Sequence, residues 1–166
     1  MTAAIRPTVA TPYARIVGVG TYRPERVVTN AEICEQIDSS DEWIRERSGI
    51  IERRFAAADE SVVDLAVAAG GSAIAKSGID PALIDMVMVA TVTHPYQTPS
   101  AAAEVADRLG LVDTAATDLS AACAGFCYGL GLADGLVRAG NARYVLVVGV
   151  EKLTDWVDPT DRSSAF

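Results

Sequence analysis

The residues best suited to nucleophilic or metal chemistry are Cys34, Cys123, Cys127 and the single histidine, His94. Cys123 is the sharpest candidate. It stands where a strand of small residues, expected over Ala116–Ala122, turns into a helix expected over Cys123–Ala139. Unpaired N–H groups and the positive dipole end at a helix start stabilise a thiolate. Thiols in such settings can have pKa values depressed from ~8.5 into the range ~3.5–7.5. The same N–H groups can hold the oxyanion formed when a thiolate attacks a carbonyl. A buried, inert cysteine fits the position equally well, so position alone leaves both readings open.

The other candidates are weaker. Cys127 lies one helical turn past Cys123, but with no second cysteine pair and one histidine a zinc site is not expected, and core packing is the better reading. Cys34 falls in a short amphipathic helix and reads as structural. His94 sits in the proline-flanked loop Thr93–Pro99, where a structural or exposed role is the expectation. Gly18-Val-Gly20 follows an expected strand, but the third glycine of a dinucleotide turn is missing and Pro24 stands where a helix should begin. Arg45, Arg47, Arg53 and Arg54 with Glu46 and Glu52 make residues 45–54 net +2 in an acidic chain. With Trp43 at helical spacing from Arg47, this segment suits a phosphate-bearing nucleotide or an acidic carrier surface; a solvated helix face is the plainer reading.

Local signals place these residues on elements. Arg15–Gly20 reads as a strand. Thr29-Asn-Ala-Glu32 and Ser39-Ser-Asp-Glu42 match capping boxes, opening one helix to about Ile37 and another that ends at Gly49. A longer helix runs from Ser61 to Gly78, and Asp80-Pro81 caps a helical turn. Asp85–Thr93 and Arg143–Val150 read as buried strands, and Pro99-Ser100 opens a helix through about Leu109. Strands alternating with helices indicate a parallel α/β sheet. Residues 1–14 form a loose leader, and 15–166 read as one folded unit without an internal linker.

The segment Cys123–Ala139 is apolar or small all round for three turns, so it should be buried on every side. Its glycines, Gly125, Gly129, Gly131 and Gly135, each cost up to ~1 kcal/mol against Ala, a cost that close packing against another element can offset. A further layer of protein is expected over this helix, from more chain or from a partner subunit.

Composition sets the outer bounds. Of 166 residues, 50% are hydrophobic and 22% charged, which excludes an intrinsically disordered chain. The net charge of −8 argues against nonspecific DNA binding and against docking on anionic lipid. The uncharged run Leu119–Ala133 is short of the ~20 residues that span a bilayer. Three cysteines without framework spacing fit a reducing, cytoplasmic compartment.

Three motifs together resemble one family. Asp41-Glu-Trp-Ile-Arg-Glu-Arg-Ser-Gly-Ile-Ile-Glu-Arg-Arg54, Asp118-Leu-Ser-Ala-Ala-Cys-Ala-Gly-Phe126, and Gly149-Val-Glu151 followed by Asp158-Pro-Thr-Asp-Arg162 resemble the signatures of β-ketoacyl-acyl carrier protein synthase III, from about Ala14 to Phe166. The resemblance implies a thiolase-like α/β fold: a βαβαβ half with a mixed, mostly parallel sheet and a buried central helix. It implies that Cys123 takes an acyl group from acyl-coenzyme A. The acyl-enzyme then condenses with malonyl-acyl carrier protein, releasing CO2 and initiating a fatty acid chain. A synthase III-like acyltransferase of secondary metabolism, passing the acyl group to an alcohol or amine, is the alternative. By the same resemblance Trp43 and Arg162 sandwich the adenine of coenzyme A and Arg47 lies near its nucleotide end. Ser48 stands where threonine is common, and Thr98 lines the acyl pocket across a homodimer interface. The implied protein uses no cofactor or metal beyond acyl-coenzyme A as substrate. The family's catalytic His and Asn lie in a second, C-terminal half that this chain lacks, and His94 does not align with that histidine.

Overall fold

A computed structural model describes residues 9–164. The chain divides into two compact units: the described part of Met1–Tyr22 with Val62–Glu151, and Arg23–Ser61 with the described part of Lys152–Phe166. Segment 23–61 groups with the described part of the tail in the second unit and carries a small apolar core of its own.

The first unit is a three-layer sandwich. Strands β3 (Met86–Ala90), β4 (Ala115–Leu119) and β5 (Val145–Gly149) form a parallel sheet in the order β4-β3-β5. Registers run Met86↔Ala115 to Ala90↔Leu119 and Met86↔Val145 to Ala90↔Gly149. The crossovers are helices α4 (Ala101–Arg108) and α5 (Gly125–Ala139), completing the expected βαβαβ unit. Helix α3 (Val62–Ser77) precedes it. Period-two alternation sends Val87 and Val89 of β3 and Leu146 and Val148 of β5 into one core with Ala66 of α3 and Val105 of α4. Val87, Val89 and Val105 are wholly excluded from solvent, so the middle strand is apolar along its length, as a doubly covered strand requires.

The opposite face of the sheet carries α5 at very short range. A Cβ added at Gly125 would lie 2.9 Å from Ala90 Cβ, and one at Gly129 2.9 Å from Val147 Cγ1. These two glycines are the buried residues of α5; a Cβ at Gly131 or Gly135 would meet nothing within 4 Å. The sheet therefore covers one face of the helix. Phe126 (46%), Tyr128 (61%) and Leu132 (50%) remain exposed in this chain. The expected burial on every side is not supplied by these residues, because one sheet can shield only one face.

Most caps sit where the sequence places them. Ser100 caps α4 by accepting from Ala103 N–H, and Gly140, at φ 74°, ends α5. Asp118 adds a second cap: its carboxylate accepts from Ala101 N–H at 2.9 Å and Ala102 N–H at 2.8 Å. A charge at a helix N-terminus with two amide donors is a strong local tie. Asp118→Asn keeps the shape but loses the charge and one acceptor. It should destabilise the protein by about 1–2 kcal/mol in denaturant titrations, and an unchanged midpoint would refute this account.

Arg15–Gly20 forms no strand with any of the described residues, and Ile16 and Val19 are 70% and 63% exposed. It runs instead against the backbone of α3, where a Cβ added at Gly20 would collide with the backbone nitrogen of Ala73. Glycine is required by that approach, not by a phosphate-binding turn. Residues 1–8 of the expected leader lie outside the described residues. Further along it, Thr11 N–H donates to the Arg138 carbonyl at 3.2 Å.

The second unit pairs β1 (Arg26–Thr29) antiparallel with β2 (Glu52–Phe55) and carries α1 (Asn30–Cys34) and α2 (Asp41–Ser48) between them. Thr29 caps α1 as expected, but that helix ends at Cys34 rather than near Ile37. Ser40, not Ser39, caps α2 by accepting from Trp43 N–H. Gly49 at φ 72° closes α2 in the left-handed region that glycine enters freely. Val28, Ile33 and Ile37 form a small core against Phe55.

Candidate functional site

The carboxyl ends of β3, β4 and β5 gather the chemistry of the first unit, the usual place for a site in a parallel α/β sheet. Beyond β4 the chain makes a tight 3-10 turn, Ala122–Ala124, before α5 begins at Gly125. Cys123 occupies the middle of that turn and is exposed. The expected helix start is thus displaced by two residues. The turn is also strained: Ala122 adopts φ 45°, in the left-handed region that costs a residue with a Cβ about 1–2 kcal/mol. Strain of this kind is held by the surrounding fold and gathers at functional sites. Here the rigid packing of Gly125 on Ala90 and the β4 ladder fix both ends of the turn.

Two of the turn's amides are already engaged. Ala124 N–H donates to the Ala121 carbonyl at 3.1 Å, and Gly125 N–H donates to the Ala122 carbonyl. These two donors are spent on the turn itself and not on an oxyanion, which narrows the sequence expectation. Cys127 is exposed, contrary to its expected core role, since α5 meets the sheet through Gly125 and Gly129. Among the described residues no group of three or more His, Cys, Asp or Glu side chains has the arrangement to hold a metal.

The loop after β3 carries His94 and Thr98. His94 Nε2 lies 3.3 Å from the Pro99 carbonyl, and its ring meets Tyr96 edge-on at 5.7 Å. The histidine braces its own loop, in keeping with the structural role expected of it. Thr98 is exposed and precedes a cis peptide bond to Pro99. Glu151, directly after β5, reaches the base of this loop: its carboxylate accepts from Val92 N–H at 2.9 Å, Thr93 N–H at 3.1 Å and the Thr93 hydroxyl at 2.5 Å.

The second unit collects the arginine candidates. The Arg47 guanidinium lies 4.7 Å from the Trp43 ring centre and that of Arg162 lies 4.6 Å from it. Trp43 and Arg47, four residues apart, and Arg162, more than a hundred residues further along the sequence, thus form one cation–π cluster. The remaining arginines have internal partners. Arg45 pairs with Asp41 at 2.8 Å, Arg53 donates to Asn30 Oδ1 at 2.7 Å, and Arg54 donates to the Glu25 carbonyl at 3.0 Å. Burial lowers the Arg53 guanidinium from its ordinary value. The hydrogen bonds from Asn30 and then Arg45 hold the Asp41 carboxyl below the usual carboxylate range. The stretch 45–54 is therefore chiefly a scaffold, and only Arg47 of its arginines joins the cluster. Ser48 is likewise committed: its hydroxyl donates to the Ile44 carbonyl at 2.6 Å and accepts from Ile50 N–H at 3.1 Å.

Two contributors escaped the sequence reading. Glu151 stands in a quoted motif, but its donors lie 58 to 60 positions earlier and no local signal links them. Ala122 carries a conformation for which glycine or asparagine would have been the sequence cue.

Comparison with known proteins gives a consistent answer. The family model for 3-oxoacyl-[acyl-carrier-protein (ACP)] synthase III matches residues 117–166. The β-ketoacyl-[acyl-carrier-protein] synthase III 1 of Streptomyces coelicolor is 57% identical over 162 residues, 98% of this chain and 47% of that protein. The mycobacterial β-ketoacyl-[acyl-carrier-protein] synthase III of Mycolicibacterium paratuberculosis is 56% identical over 91% of this chain and 45% of that protein. Among solved structures, the priming β-ketosynthase of the R1128 polyketide biosynthetic pathway superposes with a TM-score of 0.88 at 48% identity, over 90% of this chain and 45% of that one. The 3-oxoacyl-[acyl-carrier-protein] synthase III of Aquifex aeolicus gives 0.86 at 41% identity, over 89% of this chain and 48% of that one. The chain spans about half the length of the curated relatives it matches. With agreement in sequence and in its thiolase-like fold across nearly all its length, the chain belongs to the β-ketoacyl-[acyl-carrier-protein] synthase III family.

Proposed function

We propose that this chain supplies the acyl-accepting part of a condensing enzyme that initiates fatty acid chains. The Cys123 thiolate attacks the thioester carbonyl of an acyl-coenzyme A, and the tetrahedral adduct expels coenzyme A as its thiolate. Malonyl-acyl carrier protein then loses CO2, and the resulting carbanion attacks the acyl-Cys123 carbonyl. The new C–C bond forms as the C–S bond breaks, giving a β-ketoacyl product and restoring the thiolate. The observation that carries this reading is the exposure of Cys123 on a strained turn at the carboxyl end of a parallel sheet. A structural cysteine gains nothing from such a turn. In this reading the histidine and asparagine that assist condensation come from further chain, and the working form is a homodimer in which Thr98 reaches the partner's acyl pocket. No helix among the described residues is long and apolar enough to cross a membrane.

The test is incubation of the natural polypeptide with radiolabelled acyl-coenzyme A, followed by denaturation. Label retained on the protein supports acyl transfer; wild-type protein that retains none refutes it.

The proposal extends to coenzyme A recognition. Arg162 now rests on the Trp43 ring itself at 4.6 Å. An adenine stacked between them needs a spacing of ~7 Å, two van der Waals thicknesses, so Arg162 must lift away on binding. Because its segment 152–164 is built of turns rather than long helices, that motion is inexpensive. Trp43→Ala and Arg162→Ala should each weaken coenzyme A binding about 10-fold in calorimetric titration, with the fold intact. Wild-type affinity in both variants would remove the adenine sandwich.

A further inference from the structure

We propose that Glu151 is a positioning residue for acyl selectivity, acting through the loop that follows β3; this rests on the acyl-transfer reading above. Strand β3 ends at Ala90, and after Thr91 N–H bonds to the Leu119 carbonyl at 3.1 Å the parallel ladder stops. The next donors turn to one side chain. Glu151 accepts from Val92 N–H at 2.9 and 3.2 Å through its two oxygens. It also accepts from Thr93 N–H at 3.1 Å, the Thr91 hydroxyl at 3.1 Å and the Thr93 hydroxyl at 2.5 Å. Its carboxylate thus takes the place of a missing strand edge. Thr91 and Thr93 are 6% and 4% exposed, so their polar groups would be costly to leave unpaired.

The consequence lies five residues further on. Thr98, the residue proposed to line the acyl pocket, hangs from this anchored turn by a short proline-bearing loop that His94 braces at its far end. The two ends of the loop are therefore fixed independently, one by Glu151 and one by Ser100 and Asp118 at the start of α4. A carboxylate is the residue type this requires. All the donors converge on it, and an amide would present its own N–H2 to at least one of them.

The test uses the natural polypeptide with Glu151→Gln and Glu151→Asp. Amide hydrogen exchange at Val92 and Thr93 reads the anchor without reference to catalysis. Initial rates of Cys123 acylation with straight-chain acyl-coenzyme A of two, four and six carbons read selectivity. Glu151→Gln should speed exchange at both amides at least 10-fold and change the ratio of six-carbon to two-carbon kcat/KM by about 10-fold. Glu151→Asp should restore part of both effects. Unchanged exchange overturns the anchor. Faster exchange with all three acyl chains slowed alike overturns the selectivity role and leaves a structural one. A wild-type protein acylated by none of the three overturns the acyl-transfer reading, and with it the selectivity, whatever the exchange arm shows.

Discussion

Cys123→Ala should retain no acyl label after denaturation, with an acylation rate reduced by a factor of about 1,000 or more. The expectation has a specific physical basis. Cys123 is one of two exposed thiols in this unit, and Cys127, four residues away, provides an internal control. Only Cys123 lies on the turn whose two ends are fixed, one by the β4 ladder and the other by the Gly125 contact with Ala90. A thioester carbonyl must be met at about 3–3.5 Å along a defined line, which favours a sulfur on a rigid support. Cys127→Ala should therefore keep most of the activity. Label that persists in Cys123→Ala and disappears in Cys127→Ala would move the nucleophile one helical turn and remove the central claim. The alanine adds no volume and keeps the turn's backbone, so loss of label does not reflect unfolding; a thermal melt checks that directly.

Gly125→Ala is expected to be the most damaging substitution that leaves every reactive group in place. The new Cβ would lie 2.9 Å from Ala90 Cβ, closer than real side chains approach, and Ala90 belongs to the central strand. Neither partner can yield by rotating a flexible side chain, so α5 must move away from the sheet. Alanine recovers about 1 kcal/mol of helix propensity over glycine. Overpacking costs about 1–3 kcal/mol, and the net effect should be destabilising. The effect on chemistry is larger, because displacing the first residue of α5 moves Cys123 two residues before it. A shift on the order of 1 Å there should cost about 100-fold in acylation rate. Gly131→Ala, whose Cβ meets nothing within 4 Å, is the matched control and should change the rate little. Equal rates in Gly125→Ala and the wild type would show that the helix is not seated on the sheet as described.

These two variants mark how far local signals reach. The helix starts at Thr29, Asp80 and Ser100, and the stops at Gly49 and Gly140, are short-range hydrogen-bond and backbone preferences, and the structure holds them. Strands β3 and β5 were legible as apolar, β-branched runs because both their faces are covered. Arg15–Gly20 has the same local composition and pairs with no strand among the described residues, since pairing depends on a neighbour that composition does not reveal. The Ser39 box slipped by one residue for a related reason: two adjacent serines offer the same hydroxyl, and only the seating of Ile44 in the core selects Ser40.

The candidate site divides along the same line. Residue types and short spacings raised Cys123, Trp43 and Arg47 as candidates, because a thiol after a small-residue strand and an aromatic one helical turn from a guanidinium are local patterns, but they left a plainer reading open for each until the motifs were matched to a family. Three features needed the tertiary structure. Arg162 reaches Trp43 from the far end of the chain, Glu151 anchors amides 58 and 59 residues earlier, and Ala122 is held at φ 45° by packing on either side of it. Each depends on contacts between distant segments, and the free energy of such contacts depends on geometry that no stretch of neighbouring residues encodes. Chemistry, in short, was written in residue identity, whereas the burial of two α5 glycines and the anchoring of the β3 loop came only from bringing separate strands to one edge of a sheet.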